Sequence, residues 1–163
     1  MSNIRLTLSY LGTLYLGWQK TRMGPSIEEA LEKALSQILQ ESISLQAASR
    51  TDAGVHAEGQ VVNFFTKQEK LDLKRLQKSL NGLLPKEISV IDISFAPDPF
   101  HPTLDVLGKE YHYHLCCSTV QLPFYRHVSW HFPYLLDLQK MQDAAQLLVG
   151  KHDFSAFCNE DDE

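Results

Sequence analysis

An α+β fold is predicted by the order of apolar patterns in residues 1–96, which runs strand, helix, strand, strand, helix, strand. Two observations carry it: both helical segments open at a capping side chain, and the strand segments are rich in β-branched and aromatic residues. That order is the split βαβ, ferredoxin-like arrangement, an antiparallel sheet with both helices on one face. Residues 97–163 read as a linker and the start of a second, similar α/β domain.

Residues 4–10, "IRLTLSY", alternate apolar and polar with the period of a half-buried strand. The next stretch, "LGTLYLGWQKTRMGP", holds three glycines and a proline and reads as a loop. Ser26 opens a helix, with Glu29 completing a capping box. Ile27, Ala30, Leu31, Ala34, Leu35, Ile38 and Leu39 form its apolar stripe. Short strands are expected at 43–48 and 60–66, on either side of a polar loop. Asp72 caps a second helix with Leu73, Leu76, Leu80 and Leu83 inward and Pro85 stopping it; "ISVIDISF" (88–95) is the fourth strand.

The proline-rich "APDPFHPT" marks a boundary after residue 96. Beyond it, a strand is predicted over 109–117, "KEYHYHLCC", and a second around 127–132. A helix over 137–149 is expected to turn Leu138, Met141, Ala145 and Leu148 to one side, with Gly150 as its C-cap.

Composition bounds the function classes. The 163 residues are 44% hydrophobic and 21% charged, which is globular and not disordered. No apolar run approaches the roughly 20 residues of a membrane helix, and no signal peptide opens the chain. Cys116, Cys117 and Cys158 cannot all pair with one another, so reduced thiols in the cytoplasm are expected. The net charge of −5 counts against nucleic acid, but four of the 20 acids close the chain at 160–163. Without them 16 acids face 15 bases, a net of −1, and a local basic groove is open to such a body.

Motifs narrow the chemistry further. No phosphate-binding loop, dinucleotide glycine fingerprint, GxSxG elbow or CxxC pair is present. His112, His114 and Cys116 would share one face of a strand, a metal edge or simply a polar sheet face. Tyr111 and Tyr113, on the opposite face, are core aromatics or a platform on which bases stack. In the loop "SRTDAGVHAEGQVVNF" (49–64), Asp52 reads either as an Asx turn ahead of a positive-φ Gly54, or as a nucleophile or base. Arg50 beside it would pair with a phosphate or keep Asp52 ionised.

That loop strongly resembles the signature of the tRNA pseudouridine synthase A family around Arg-Thr-Asp-Ala-Gly-Val-His. The resemblance continues through "LGWQ" (16–19), "SIEEALEKAL", "LNGLLP" (80–85), "FH" (100–101), "KEYHYHL" (109–115) and "HDFSAF" (152–157), in the family's order. It departs at Ser49, where the family commonly has glycine, at Tyr10-Leu11-Gly12 and at Pro102-Thr103. The resemblance implies an isomerase that converts uridine to pseudouridine at positions 38–40 in the anticodon stem-loop of tRNA, without metal or organic cofactor. It implies Asp52 as catalytic nucleophile or base, Arg50 holding the flipped nucleotide, and Tyr111 stacking on the uracil. It implies a cytoplasmic homodimer contacting tRNA with both subunits. The match is to the N-terminal portion of the family, so this chain alone is expected to be weak or inactive. A catalytically silent RNA-binding module is the alternative, and a His/Cys metal protein a third.

Overall fold

The computed structural model describes residues 1–157. Cys158 and the acidic end at 160–163 lie outside the described residues. The chain forms two compact units, Met1–His112 and a second beginning at Tyr113.

The first unit is built from β1 (Ser2–Tyr10), α1 (Ile27–Leu39), β2 (Leu45–Ala47), β3 (Ala57–Thr66), α2 (Leu73–Leu83) and β4 (Ile88–Ala96). The strands form one sheet in the order β2-β3-β1-β4, every neighbouring pair antiparallel. This is the ferredoxin-like arrangement that the element order predicts. The alternation in β1 has its expected consequence: Ile4, Leu6, Leu8 and Tyr10 are buried on one face. They share a core with Ile27, Leu31 and Leu35 of α1, Leu76 and Leu80 of α2, and Val62 and Phe64 of β3. Each such side chain contributes about 1.5–3 kcal/mol on burial. Asn3, Arg5, Thr7 and Ser9 therefore lie on the opposite face of β1.

Both helix starts are as read. Ser26 Oγ accepts from the Glu29 amide at 3.2 Å, and Asp72 Oδ1 accepts from the Arg75 amide at 3.0 Å. The α1 stripe is buried or half-buried along its length. One position in α2 differs. Leu83 is exposed and Leu84 buried, because the helix has ended and the extended Leu84 carries the next side chain inward.

The second unit holds β5 (Leu115–Cys116), β6 (Trp130–His131) and α3 (Leu138–Gln146). The two strands pair in parallel, Leu115 with Trp130 and Cys116 with His131. Three expectations are corrected here. The strand over 109–117 is regular only at Leu115–Cys116, and the one around 127–132 only at Trp130–His131. Alternation says which side chains would share a face, but a strand exists only where a neighbour supplies the hydrogen-bond ladder. Among the described residues, 109–113 have no such ladder, and 114 contributes only its carbonyl, which accepts from the Trp130 amide at 2.8 Å. Consequently the His112/His114/Cys116 face is not built. Tyr111 and Tyr113 are not core aromatics but 66% and 89% exposed.

The third correction concerns α3, which ends at Gln146, short of Gly150. Its last turn tightens instead: Leu147, Leu148 and Val149 amides each donate three residues back. Gly150 does take the left-handed region, at φ +115°. Leu138, Met141 and Leu148 are exposed.

Replacing the α1 cap tests how far local chemistry holds the first unit. Ser26→Ala lowers the unfolding free energy by about 1 kcal/mol in a urea titration.

Candidate active site

The connection from β2 to β3, residues 48–56, is held from below by the connection from β1 to α1. Backbone groups do most of the holding. The Trp18 amide donates to the Thr51 carbonyl at 2.9 Å, and the Gly54 amide to the Tyr15 carbonyl at 3.2 Å. The Gly12 amide donates to Nδ1 of His56 at 3.0 Å, so that nitrogen is the unprotonated one. Tyr10 and Thr51 hydroxyls share a hydrogen bond at 2.8 Å. Burial pushes the Tyr10 hydroxyl above its ordinary pKa, against the smaller lowering effect of that bond. Each such bond contributes about 0.5–1.5 kcal/mol.

Two glycines allow the approach. A Cβ on Gly12 would stand 2.0 Å from the Val55 carbonyl oxygen. One on Gly17, at φ +93°, would stand 2.5 Å from the Thr51 carbonyl oxygen and 3.0 Å from the Asp52 carbonyl carbon. The opposite wall of this first connection is α1. The Ile27 and Glu28 amides donate to the Gly17 and Trp18 carbonyls at 3.2 and 3.0 Å. Glu28, buried in the helix's first turn, accepts from Gln19 Nε2 at 2.9 Å and the Lys20 amide at 2.7 Å.

With Thr51 turned inward, Arg50 and Asp52 point out and are exposed. Gly54 takes φ +79°, as the turn reading requires. The turn is closed by the Asp52 backbone carbonyl, which accepts from the Val55 amide at 3.1 Å. Among the described residues, no hydrogen bond or ion pair uses the Asp52 carboxylate, and Arg50 does not pair with it. Tyr111 comes to the same loop from far along the chain, its hydroxyl 3.1 Å from Ser49 Oγ. Ser49 is fixed in turn by Gln60, whose Nε2 donates to its carbonyl. Arg50, Asp52 and Tyr111 thus belong to one exposed neighbourhood of the first unit.

Sequence reasoning met Tyr10, Gly12, Gly17 and His56 only as parts of family motifs and gave them no role in holding the loop. The available signal for that role was the spacing of two glycines around aromatics in "LGTLYLGW". Among the described residues, no group of three His, Cys, Asp or Glu is placed to hold a metal ion, and no helix is long and apolar enough to cross a membrane.

Residues 7–103 match the family model described as tRNA pseudouridine synthase. The chain belongs to that family. The match contains the whole 48–56 loop and the glycines beneath it. A relative named tRNA pseudouridine synthase A 2, from Protochlamydia amoebophila, is 54% identical over 159 residues, 98% of this chain and 61% of the relative. The tRNA pseudouridine synthase A of Thermodesulfovibrio yellowstonii is 43% identical over 162 residues, 99% of this chain and 63% of its own length. That of Syntrophotalea carbinolica is 43% identical over 157 residues, 96% and 62%. The chain therefore spans a little over three fifths of the curated pseudouridine synthases it matches.

The glycines of this family member separate two causes of strain. Gly54 has open space around its Cβ position, so Gly54→Ala costs only the left-handed conformation, about 1 kcal/mol. Gly12→Ala drives a methyl into the Val55 carbonyl and costs more, about 3 kcal/mol. Denaturant titration of both variants checks the order, and a Gly12 variant as stable as the Gly54 one would refute the interlock.

Proposed function

We propose that this chain carries the catalytic loop of a pseudouridine synthase acting on uridines 38–40 in the anticodon stem-loop of tRNA. The observation that supports the reading best is the contrast at Asp52: an exposed carboxylate on a backbone clamped from below. A group that must meet a substrate needs access, and a group that must react needs a fixed position. Asp52 has both.

In this reaction the uracil N1–C1′ bond breaks, the base turns while bound, and a C5–C1′ bond replaces it. N1 gains a proton and C5 loses one, so the product is an isomer. Asp52 acts as nucleophile at the sugar or as base on a sugar proton. Arg50, next to it and equally exposed, takes the space left when the target nucleotide flips out, and its charge meets phosphate. Tyr111, with its ring exposed and its hydroxyl on Ser49, stacks on the extruded uracil. Residues 1–96 are the domain that carries the loop, and 97–163 supply a linker and the opening of a second α/β domain. The enzyme works in the cytoplasm as a homodimer that contacts tRNA with both subunits.

The test is tritium release from unmodified tRNA carrying C5-tritiated uridine, in protein extended to the length of the relatives. Asp52→Asn keeps the shape and removes the charge, so turnover falls at least about a thousandfold, roughly 4 kcal/mol of barrier, while tRNA binding changes far less. Wild-type turnover in that variant would refute the assignment of Asp52. Binding without any release in the parent protein would make this a silent RNA-binding module.

Arg50→Ala slows turnover on paired target uridines. A mismatch opposite the target restores part of the rate, because less unpairing remains to be done. Equal loss on paired and mismatched tRNA would remove Arg50 from the flipping step.

A further inference from the structure

After β4 the chain does not leave the sheet by the shortest way. It crosses the face opposite the helices, touching the strands in turn. Asn3 of β1 donates from Nδ2 to the Pro97 and Phe100 carbonyls at 2.9 and 3.2 Å. Asn63 of β3 donates to Asn3 Oδ1 at 2.8 Å and to the Phe100 carbonyl at 3.4 Å. Thr103 Oγ1 then donates to the Ala47 carbonyl at the end of β2, at 2.8 Å. Since the strand order is β2-β3-β1-β4, residues 97–103 pass from one edge of the sheet to the other.

Two features mark the crossing as specific. Asn3 and Asn63 are 3% and 0% exposed, and among the described residues Asn63 Oδ1 is buried without a partner. An apolar pair would avoid that penalty but offer no donors to the Pro97 and Phe100 carbonyls. The landing point is also informative. Thr103 is tied to Ala47, the last residue of β2, and Tyr111 to Ser49, two residues further on in the loop.

We propose that Asn3 and Asn63 are positioning residues for Tyr111, acting through the 97–103 strap; the inference rests on the catalytic reading of Tyr111 given above. With the strap tied, the Tyr111–Ser49 contact closes a loop of seven residues, 104–110. Without the Asn3 and Asn63 bonds only the single exposed Thr103 bond closes the strap, and whenever it opens the loop runs from the end of β4, fourteen residues, 97–110. Closure probability falls with loop length to the power of about three halves, so doubling the loop lowers the population of the contact about threefold.

The test uses Asn3→Val with Asn63→Val, which removes both amides together, in protein extended to the length of the relatives and labelled with 3-fluorotyrosine. The Tyr111 fluorine resonance is assigned by Tyr111→Phe. In the double variant it shifts and narrows, while the buried Tyr10 and Tyr15 resonances stay in place. Single-turnover pseudouridine formation falls about threefold at unchanged tRNA affinity, and in a Tyr111→Ala background the same pair of changes has almost no further effect. An unmoved Tyr111 resonance, or equal losses in both backgrounds, would overturn the proposal. If the double variant does not fold, Thr103→Val, an exposed change at the far tie, is read by the same two measurements with the same criteria. A parent protein that forms no pseudouridine would sink the catalytic reading, and the fluorine spectrum would still decide whether the strap places Tyr111.

Discussion

The candidate site depends on one close contact between two pieces of backbone. The first connection, between β1 and α1, approaches the Thr51–Val55 backbone so nearly that a methyl group at Gly12 would stand 2.0 Å from a carbonyl oxygen. Everything above that contact inherits its position. Thr51 is locked from three sides, by the Trp18 amide, the Tyr10 hydroxyl and the chain on which it sits. Arg50 and Asp52 are its immediate neighbours and have little freedom left at Cα. The sheet supplies Tyr10, α1 receives the far side of the connection, and the hydrophobic core keeps both in place. Loop, sheet and helix thus converge on a few main-chain groups.

Much of the first unit was legible because its signals are local. Ser26 and Asp72 cap helices for reasons contained within four residues, and the alternation in "IRLTLSY" names its own buried face. The order of elements then leaves few topologies to consider. Residues 109–117 show where this logic stops. Their pattern suits a strand as well as β1 does, but strand formation is a property of two segments, and a pattern in one says nothing about the other.

The site was legible in a different way. Arg50, Asp52 and Tyr111 were named from a motif, and the structure brings them to one neighbourhood through the Ser49–Tyr111 contact. The part that the glycines and His56 play in holding the loop was not legible, because packing of one loop on another leaves no period in the sequence. Gly12 and Gly17 look like any loop glycines until the carbonyls opposite them are known.

Since the clamp is made chiefly of amides and carbonyls, which every residue type but proline supplies in full, side-chain identity in much of the first connection is free to drift. Thr13, Leu14 and Leu16 are exposed, and their exchange leaves the hydrogen bonds intact. The exposed surface along this stretch can therefore vary while the backbone that carries Asp52 stays where it is. At the glycines the constraint on this stretch is steric, and at the buried Tyr15 and Trp18 it is packing.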